Sequence, residues 1–504
     1  MSFFVSSRES SESSSASSSR ATRDERGARS SVGEWCDDVD ALSRVDDDDV
    51  NAMLRPSVYA ITREIKRRGG GASERLRSIA ADARWTRAAT TERFGSLPVF
   101  ANARCGKWYV DAPECYFKST DGHDKNWAFS GVRLNARVAR EAAARGGCVV
   151  VDATASAVKR FPDAMSKTVP IWCETLNRAV ARAGGVRWRE GDDRGVTLPE
   201  WISTNEREAV NARREQFDES LRRSGWDAGN ELKDILKKPF QCVWVSQGDD
   251  GSELTLETLR AADFTPIVLL SASAPLLGRG ERSVGDDGRA FTYVPGAGDD
   301  EESWARGLTP EIYRKHRDSL LRANQGDVDV LISKLVARSR DSEGTGEYSE
   351  TVIELDPECG LGACRVASRR VYDRPDVNNL ADAFLHVGEL AVESSRLATP
   401  FLHVSAKKDK ISRSDLRNAI EPSIQFVRRS LPTPKGRLCV TCDDGVDHSV
   451  AMVIALSIAL CPQSLGANLT KDDIRRRLAV ISRTHPDARP SRGSLKQVYN
   501  HFVG

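Results

Sequence analysis

The 504-residue sequence has no hydrophobic run long enough to cross a membrane, which takes about 20 consecutive apolar residues. Its longest apolar stretch, near residues 450–461, suits a core helix instead. It has no dominant charge sign: 74 Lys and Arg oppose 73 Asp and Glu, a formal net charge of +1. The total therefore points to no partner, and only the distribution of charge can. No second cysteine pair follows the lone CxxC of Cys439 and Cys442 at zinc-site spacing. The eleven cysteines look scattered and read as reduced core thiols of an intracellular, cytoplasmic protein. There is also no internal repeat.

What is present is uneven. A 39% hydrophobic content is enough for real cores, and the length suggests two domains or one large domain with a satellite. Residues 51–150 carry 18 basic against 9 acidic side chains, whereas residues 241–300 carry 4 against 10. The basic block suggests a surface for a polyanion, and the acidic one a separate site able to hold a metal. The alternative is ordinary solvated helix faces. Residues 1–50 form a Ser-rich, acidic, low-complexity tail expected to be disordered. Glu9, Glu12, Asp24 and Glu25 argue against an organelle transit peptide there.

The pattern along the chain is α/β. Order is expected from about Pro56, with helices over SVYAITREIKRR and ERLRSIAADARWT, and extended segments in LPVFANARCGKWYV. RLNARVAREAAARGG reads as a helix stopped by Gly146 and Gly147, and CVVVDAT as a buried strand with an acid at its C-terminal edge. FQCVWVSQGD and DFTPIVLLSASA are further strands. Residues 51–375 are expected to form a larger α/β domain, with a charged linker at 340–350 inside it. A second α/β domain is expected over 376–504, with strands FLHVSA and GRLCVTC and helices SDLRNAIEPSIQFVRRSL and HSVAMVIALSIAL.

Four stretches carry chemistry. In CDDGVDHSV a strand meets a glycine loop and a helix N-terminus, the layout of a cysteine phosphatase. Gly445 lets several N–H groups turn toward one anion, and Ser449 adds a donor. The sixth position after Cys442 is His448 rather than arginine, so the guanidinium fork for phosphoryl oxygens is missing. Asp443, Asp444 and Asp447 oppose both a thiolate and a phosphate. The loop reads as an anion cradle or as a structural relic. In CYFKSTDGH, Lys118 supplies a charge, Ser119 and Thr120 hydroxyls, Gly122 a tight turn, and Asp121 and His123 proton chemistry. In VVVDATASAVKRFPDAMSKTVP, Asp152 ends a strand and Lys159, Arg160 and Lys167 follow it, where α/β proteins bind ligands. The alternative is three solvated cations. In GAGDDEESW, Asp299 and Asp300 fit either Mg²⁺ or a helix cap.

The stretches SVYAITREIKRR, CYFKSTDGH, KRFPDAMSKTVPIWCETLNR, GAGDDEESWARGLTP, CDDGVDHSVAMVIAL and HPDARPSRGSLKQVYNHF resemble the initiator-tRNA 2'-O-ribosyl phosphate transferase family. The resemblance runs from about residue 51 to 503. It departs at the acidic Ser-rich start and in the details of the CDDGVD loop. It implies a C-terminal dual-specificity-phosphatase-like α/β domain with a P-loop-like CDDGVDHS turn. It also implies transfer of a 5-phosphoribosyl group from phosphoribosyl pyrophosphate, with Mg²⁺, to the ribose 2'-hydroxyl of a T-stem purine in initiator methionine tRNA. Such chemistry must neutralise pyrophosphate and take a proton from a sugar hydroxyl. The resulting expectation makes Asp121 or His123 the base and directs Lys118, Lys159, Arg160 and Lys167 to phosphates. Asp152, Asp299 and Asp300 then lie near metal or ribose, and Arg63, Lys66, Arg67 and Arg68 meet the tRNA backbone. The rival readings are a cysteine-dependent phosphatase and an inactive phosphatase-like RNA-binding protein.

Overall fold

The computed structural model describes residues 71–503 except 124, 156–158, 188–193, 249–253, 275–281, 286, 342–351, 356–360, 408–413, 432–435, 462–468 and 486. The expected tail, the first basic helix with Arg63, Lys66, Arg67 and Arg68, and nearly all of the charged linker lie outside the described residues.

The first sheet is fully parallel, in the order β2 (Glu114–Cys115), β1 (Val99–Asn102), β3 (Cys148–Asp152), β5 (Thr265–Ser271), β4 (Phe240–Ser246). Every residue of β3 and β5 is buried, as strands covered on both faces must be. Alternation then sorts the side chains. Val150 and Leu269 join a core closed by the helices Ala136–Arg145 and Val169–Arg182. Val149, Val151, Val268 and Leu270 join the opposite core with Leu76 and Ile79 of the helix Ala72–Ala88. The helix Ala136–Arg145 stops where predicted: Gly146 adopts φ 74° and donates its N–H to Ala142. That left-handed turn sends the chain straight into β3. A small antiparallel ribbon, β6 (Arg282–Val284) with β7 (Ala290–Thr292), lies apart from the sheet.

The second sheet has the order β11 (Phe401–Ser405), β10 (Ala383–Gly388), β12 (Leu438–Cys442), β9 (Cys364–Ser368), β8 (Ile353–Glu354), with only β8 antiparallel. β8 and β9 precede residue 376, so the second fold has begun by Ile353, earlier than the expected boundary. Short strands interrupted by turns gave too weak a pattern to show this. The helix His448–Leu460 is buried from His448 through Ile458, and its apolar composition on all sides fits that position.

The two folds touch through the helix Lys471–Thr484 and the segment after it. Arg223 pairs with Asp472 at 2.7 Å, Arg140 donates to the carbonyl of Arg483 at 3.1 Å, and Ala479 packs into the first core.

His386, on β10, is fully buried between Thr441 at 2.9 Å and the carbonyl of Leu390 at 3.0 Å. Burial pushes its imidazole down to about 4, although Asp443 at 3.8 Å pulls the other way. The unfolded chain binds the proton at a higher pH than the native one. Stability is therefore expected to fall as pH drops from about 6.5 toward 4, by up to about 3 kcal/mol. Urea melts of the wild type and His386→Gln at pH 7 and pH 5 check this: the pH dependence should shrink in the variant, and equal dependence would remove His386 as its source.

Candidate active site

In a parallel sheet, ligands collect at the carboxyl ends of the strands, where the order reverses. Here that point lies between β1 and β3. Asn102 ends β1 and Asp152 ends β3, and the Asn102 amide donates to Asp152 at 2.8 Å. Asp152 is wholly buried. Its other oxygen accepts from the Ala153 N–H at 2.8 Å and from the Cys105 thiol at 3.0 Å. Arg104 completes the group. Its Nε lies 3.2 Å from Asp152 and its Nη1 2.5 Å from Asp299, so one guanidinium joins both predicted carboxylates. Burial alone would lower the Arg104 pKa, but Asp152, Cys105 and Asp299 outweigh it and raise it, keeping the guanidinium charged. Burial also pushes the Cys105 thiol well up.

The GAGDD loop reaches this edge by close backbone contact. A side chain at Gly296 would collide with the backbone of Thr154 and Ala155, and one at Gly298 with Trp108. Asp300 sits at the N-cap position of the short helix Glu301–Trp304 with φ 52°, but its side chain caps nothing. Asp299 accepts the Asp300 N–H at 3.1 Å. By themselves these residues do not form a complete metal site. Asp299 is already engaged by Arg104, and among the described residues no group of three or more His, Cys, Asp or Glu is placed to hold one.

Asn102 also ties this edge to the second predicted stretch. Its side chain exchanges hydrogen bonds with the backbone of Phe117, both at 2.9 Å, just before Lys118. Residues Ser119–Asp121 form one tight turn. The turn packs on a wide helical turn, Ala164–Thr168, that opens the helix Val169–Arg182. The Thr168 hydroxyl donates to the Lys118 carbonyl at 3.1 Å. Gly122 allows the approach, because a Cβ there would lie 2.7 Å from the Asp163 carbonyl and 2.8 Å from Thr168 Oγ1. Thus the structure brings the residue 118–123 stretch and the residue 159–168 stretch together, as one site.

Their charges meet on Asp163, a residue the sequence did not single out. It lies 3.0 Å from Lys159, 3.3 Å from Lys167 and 3.3 Å from His123 Nε2. Burial would raise its carboxyl, but the two lysines prevail and hold it below the usual carboxylate range. Lys167 is buried and also meets Glu206 at 2.9 Å, which makes it a fixed internal cation rather than a free phosphate ligand. Arg160 donates to Ser246 Oγ at 2.6 Å at the end of β4. Asp121 is paired with Arg133 at 2.8 Å, whereas His123 is half exposed. Lys118 Nζ has no partner among the described residues. The Ser119 hydroxyl oxygen is buried without one, so a ligand bound here would satisfy it. Thr120 is exposed.

Cys442, Gly445, His448 and Ser449 belong to the other fold and are not part of this group. Gly445 takes φ 77° pressed against Ala367 and Ser368, so the loop turns as expected. Its donors, however, are used internally. Asp444 Oδ1 accepts the N–H of Val446 at 3.0 Å, the N–H of Asp447 at 3.3 Å and the Cys442 thiol at 3.1 Å. Gly445 N–H points at the Cys442 sulfur at 3.2 Å, and Ser449 Oγ lies 3.1 Å from it. Asp443 binds the N–H groups of Glu389 and Leu390, and Asp447 binds that of Ser491. The three aspartates therefore pin the loop from inside and toward its neighbours. We expect no hydrolysis of an aryl phosphate by the wild type, and Cys442→Ser should change no activity of the protein. Turnover lost on Cys442→Ser would reverse that reading.

The loop is also anchored to the first fold. Arg489 donates its N–H to the Val446 carbonyl at 2.8 Å, and its guanidinium pairs with Glu114 on β2. Arg104, Asn102, Asp163 and Arg489 escaped the sequence reading. Only Asn102 and Arg104 carried a signal, as polar residues closing an extended segment in the way that Asp152 does.

Comparison with known proteins agrees with this division. The domain described as Rit1 N-terminal domain matches residues 65–337, more than half of the chain, and the Rit1 DUSP-like domain matches residues 400–502. The chain is 33% identical over 457 residues to the uncharacterized protein C3F10.06c of Schizosaccharomyces pombe, across 84% of this chain and 92% of the relative. It is 25% identical over 501 residues to tRNA A64-2'-O-ribosylphosphate transferase of Saccharomyces cerevisiae, across 89% of this chain and 95% of that protein. Among solved structures, the Yvh1 phosphatase domain of Chaetomium thermophilum overlaps 30% of this chain and 94% of its own length, at 18% identity and TM-score 0.26. Human DUSP28 overlaps 31% and 97%, at 14% identity and TM-score 0.25. Scores this low carry no argument, and the assignment rests on the domain matches and the full-length relatives. The chain belongs to the Rit1 family, the tRNA 2'-O-ribosylphosphate transferase family that its motifs resemble.

Proposed function

We propose that this protein transfers a 5-phosphoribosyl group from phosphoribosyl pyrophosphate to the ribose 2'-hydroxyl of a T-stem purine in initiator methionine tRNA, releasing pyrophosphate. The observation that carries the reading is the alignment with the S. cerevisiae tRNA A64-2'-O-ribosylphosphate transferase, which spans both folds and nearly all of that relative. The geometry at the carboxyl edge of the first sheet is compatible with it. Lys118, Lys159 and Arg160 gather cationic charge near the strand ends, and Arg104 holds Asp152 and Asp299 beside it.

In this reading the 2'-oxygen bonds to the anomeric carbon as that carbon's bond to pyrophosphate breaks, and pyrophosphate leaves with the electron pair. The cations offset the charge that develops on the leaving group. The hydroxyl proton passes to His123. Asp163 lies 3.3 Å from its Nε2, a placement that would favour the tautomer with Nδ1 free to accept. Asp121, committed to Arg133, stands as the second choice of base. Magnesium enters only as the counter-ion of the donor, since the described carboxylates do not form a resident site.

The test supplies radiolabelled donor with either initiator or elongator tRNA. Label should appear in initiator tRNA alone, with pyrophosphate formed only when both substrates are present. Unlabelled initiator tRNA would end the proposal, and tRNA binding without a mass change would favour an inactive RNA-binding protein.

A further inference from the structure

Trp201 is 54% exposed, although it packs against two other aromatic rings. The other exposed large hydrophobic side chains among the described residues are the aliphatic Val284, Val330, Leu390 and Val503. One face of the indole lies flat on Phe161, with centroids 5.2 Å apart and planes 11° from parallel. The indole meets Trp244 in an edge-to-face contact, with centroids 6.0 Å apart and planes at 77°. Trp244 is fixed in turn by its Nε1–H, which donates to the Met165 carbonyl at 3.0 Å.

The loop bearing Trp201 is clamped as well. Arg207 donates through Nη1 to the Leu198 carbonyl at 2.9 Å and through Nη2 to that of Pro199 at 3.0 Å. Ile202 N–H closes a turn onto Pro199, and Ser203 caps the helix Thr204–Asn211 through the Glu206 N–H. Glu206 is the residue that holds Lys167. The ring is therefore held by packing on Phe161 and Trp244 while more than half of the residue stays exposed. It stands beside Phe161, which follows the exposed Lys159 and Arg160 in sequence. An aromatic plane whose ordering is already complete before binding, next to cations, suits a flat π-system joined to a phosphate backbone.

We infer that the exposed surface of the Trp201 indole is a stacking platform for an unpaired nucleobase of the RNA acceptor. This deepens the proposed function and rests on it for the identity of the RNA. A stem-directed enzyme reads its duplex mainly through phosphates and 2'-hydroxyls. An unpaired base outside the stem, captured on Trp201, adds a second point that fixes the register of the acceptor against His123. A protein surface docking on the same ring is the competing occupant, favoured if RNA affinity does not depend on Trp201.

The experiment measures binding of initiator tRNA, a short single-stranded RNA and a fully paired duplex of equal length to the full chain, as wild type, Trp201→Ala and Trp201→Phe. Thermal melts confirm folding. Trp201→Ala should weaken tRNA and single-strand binding by about 5- to 100-fold and leave duplex binding unchanged, and Trp201→Phe should recover most of the loss. In transfer assays, KM for tRNA should rise in Trp201→Ala while KM for the donor stays constant. Equal tRNA affinity in wild type and a folded Trp201→Ala overturns the platform, as does equal loss on duplex and single strand. Absent transfer by the wild type with Trp201-dependent RNA binding would defeat the catalytic reading and leave the platform standing. Normal transfer with an unchanged KM for tRNA in Trp201→Ala would do the opposite.

Discussion

Arg104→Ala is expected to destabilise the protein by about 3–5 kcal/mol, the usual cost of removing one partner from a buried ion pair. Asp152 has no solvent exposure and Arg104 little, so water cannot replace the guanidinium. The loss leaves Asp152 and Asp299 with uncompensated negative charge at the strand edge where a polyanionic donor would bind. Transfer should then fall by at least about 100-fold, as when one preorganised electrostatic contact is deleted. Arg104→Lys separates the two effects. It keeps a charge but cannot span both carboxylates, so it should recover part of the stability and little of the activity. Chemical denaturation with single-turnover kinetics reads both. An unchanged midpoint in Arg104→Ala would show that Asn102, the Ala153 N–H and the Cys105 thiol suffice to stabilise Asp152.

Gly122→Ala should do the reverse: a small change in stability and a large one in rate. The backbone at Gly122 has φ −111°, which any residue adopts, so only the added methyl matters. That methyl would sit 2.7 Å from the Asp163 carbonyl, 2.8 Å from Thr168 Oγ1 and 3.1 Å from Lys167 Cβ. The turn over residues 118–123 must lift from the wide helical turn beneath it. Lifting moves Lys118, Ser119 and His123 relative to Asp163 and Lys167. A displacement near 1 Å in such a site costs about 100-fold in rate. Rates within a few-fold of wild type, with an intact melt, would mean that the two stretches do not act as one site.

Much of this protein was legible from local pattern. CVVVD and TPIVLLS are short apolar runs rich in β-branched residues, which suit strands covered on both faces. Gly146 marked the end of its helix because only a left-handed residue could turn the chain there. Gly445 marked its turn for the same reason. The absence of an arginine at position 448 was visible without coordinates and removed hydrolysis as the leading idea. The loop's three aspartates were visible too, but not their role. A carboxylate can attract a metal, repel a phosphate or accept neighbouring N–H groups, and only the path of the loop decides among these. Here Asp443, Asp444 and Asp447 accept N–H groups, so the turn that looked like an anion cradle is filled from within.

The sequence determined which residue types were available and where the chain alternates between strand and helix, because both depend on neighbours a few positions apart. It also identified the stretches 118–123, 152–167 and 299–300 as chemically unusual. The tertiary structure decided which of them meet. Parallel strands bring residues separated by a whole helix to one edge, so Asn102 and Asp152 become neighbours across 50 positions. Arg104 then spans to Asp299, nearly 200 positions away. The same packing turned Asp163 from an unremarked acid into the anchor of Lys159, Lys167 and His123. It also set Trp201, otherwise an ordinary aromatic in a polar stretch, in a fixed plane at the rim. Electrostatic partnership depends on distance in space, and in this protein the charges that define the site are close only after two layers of helices have closed over the sheet.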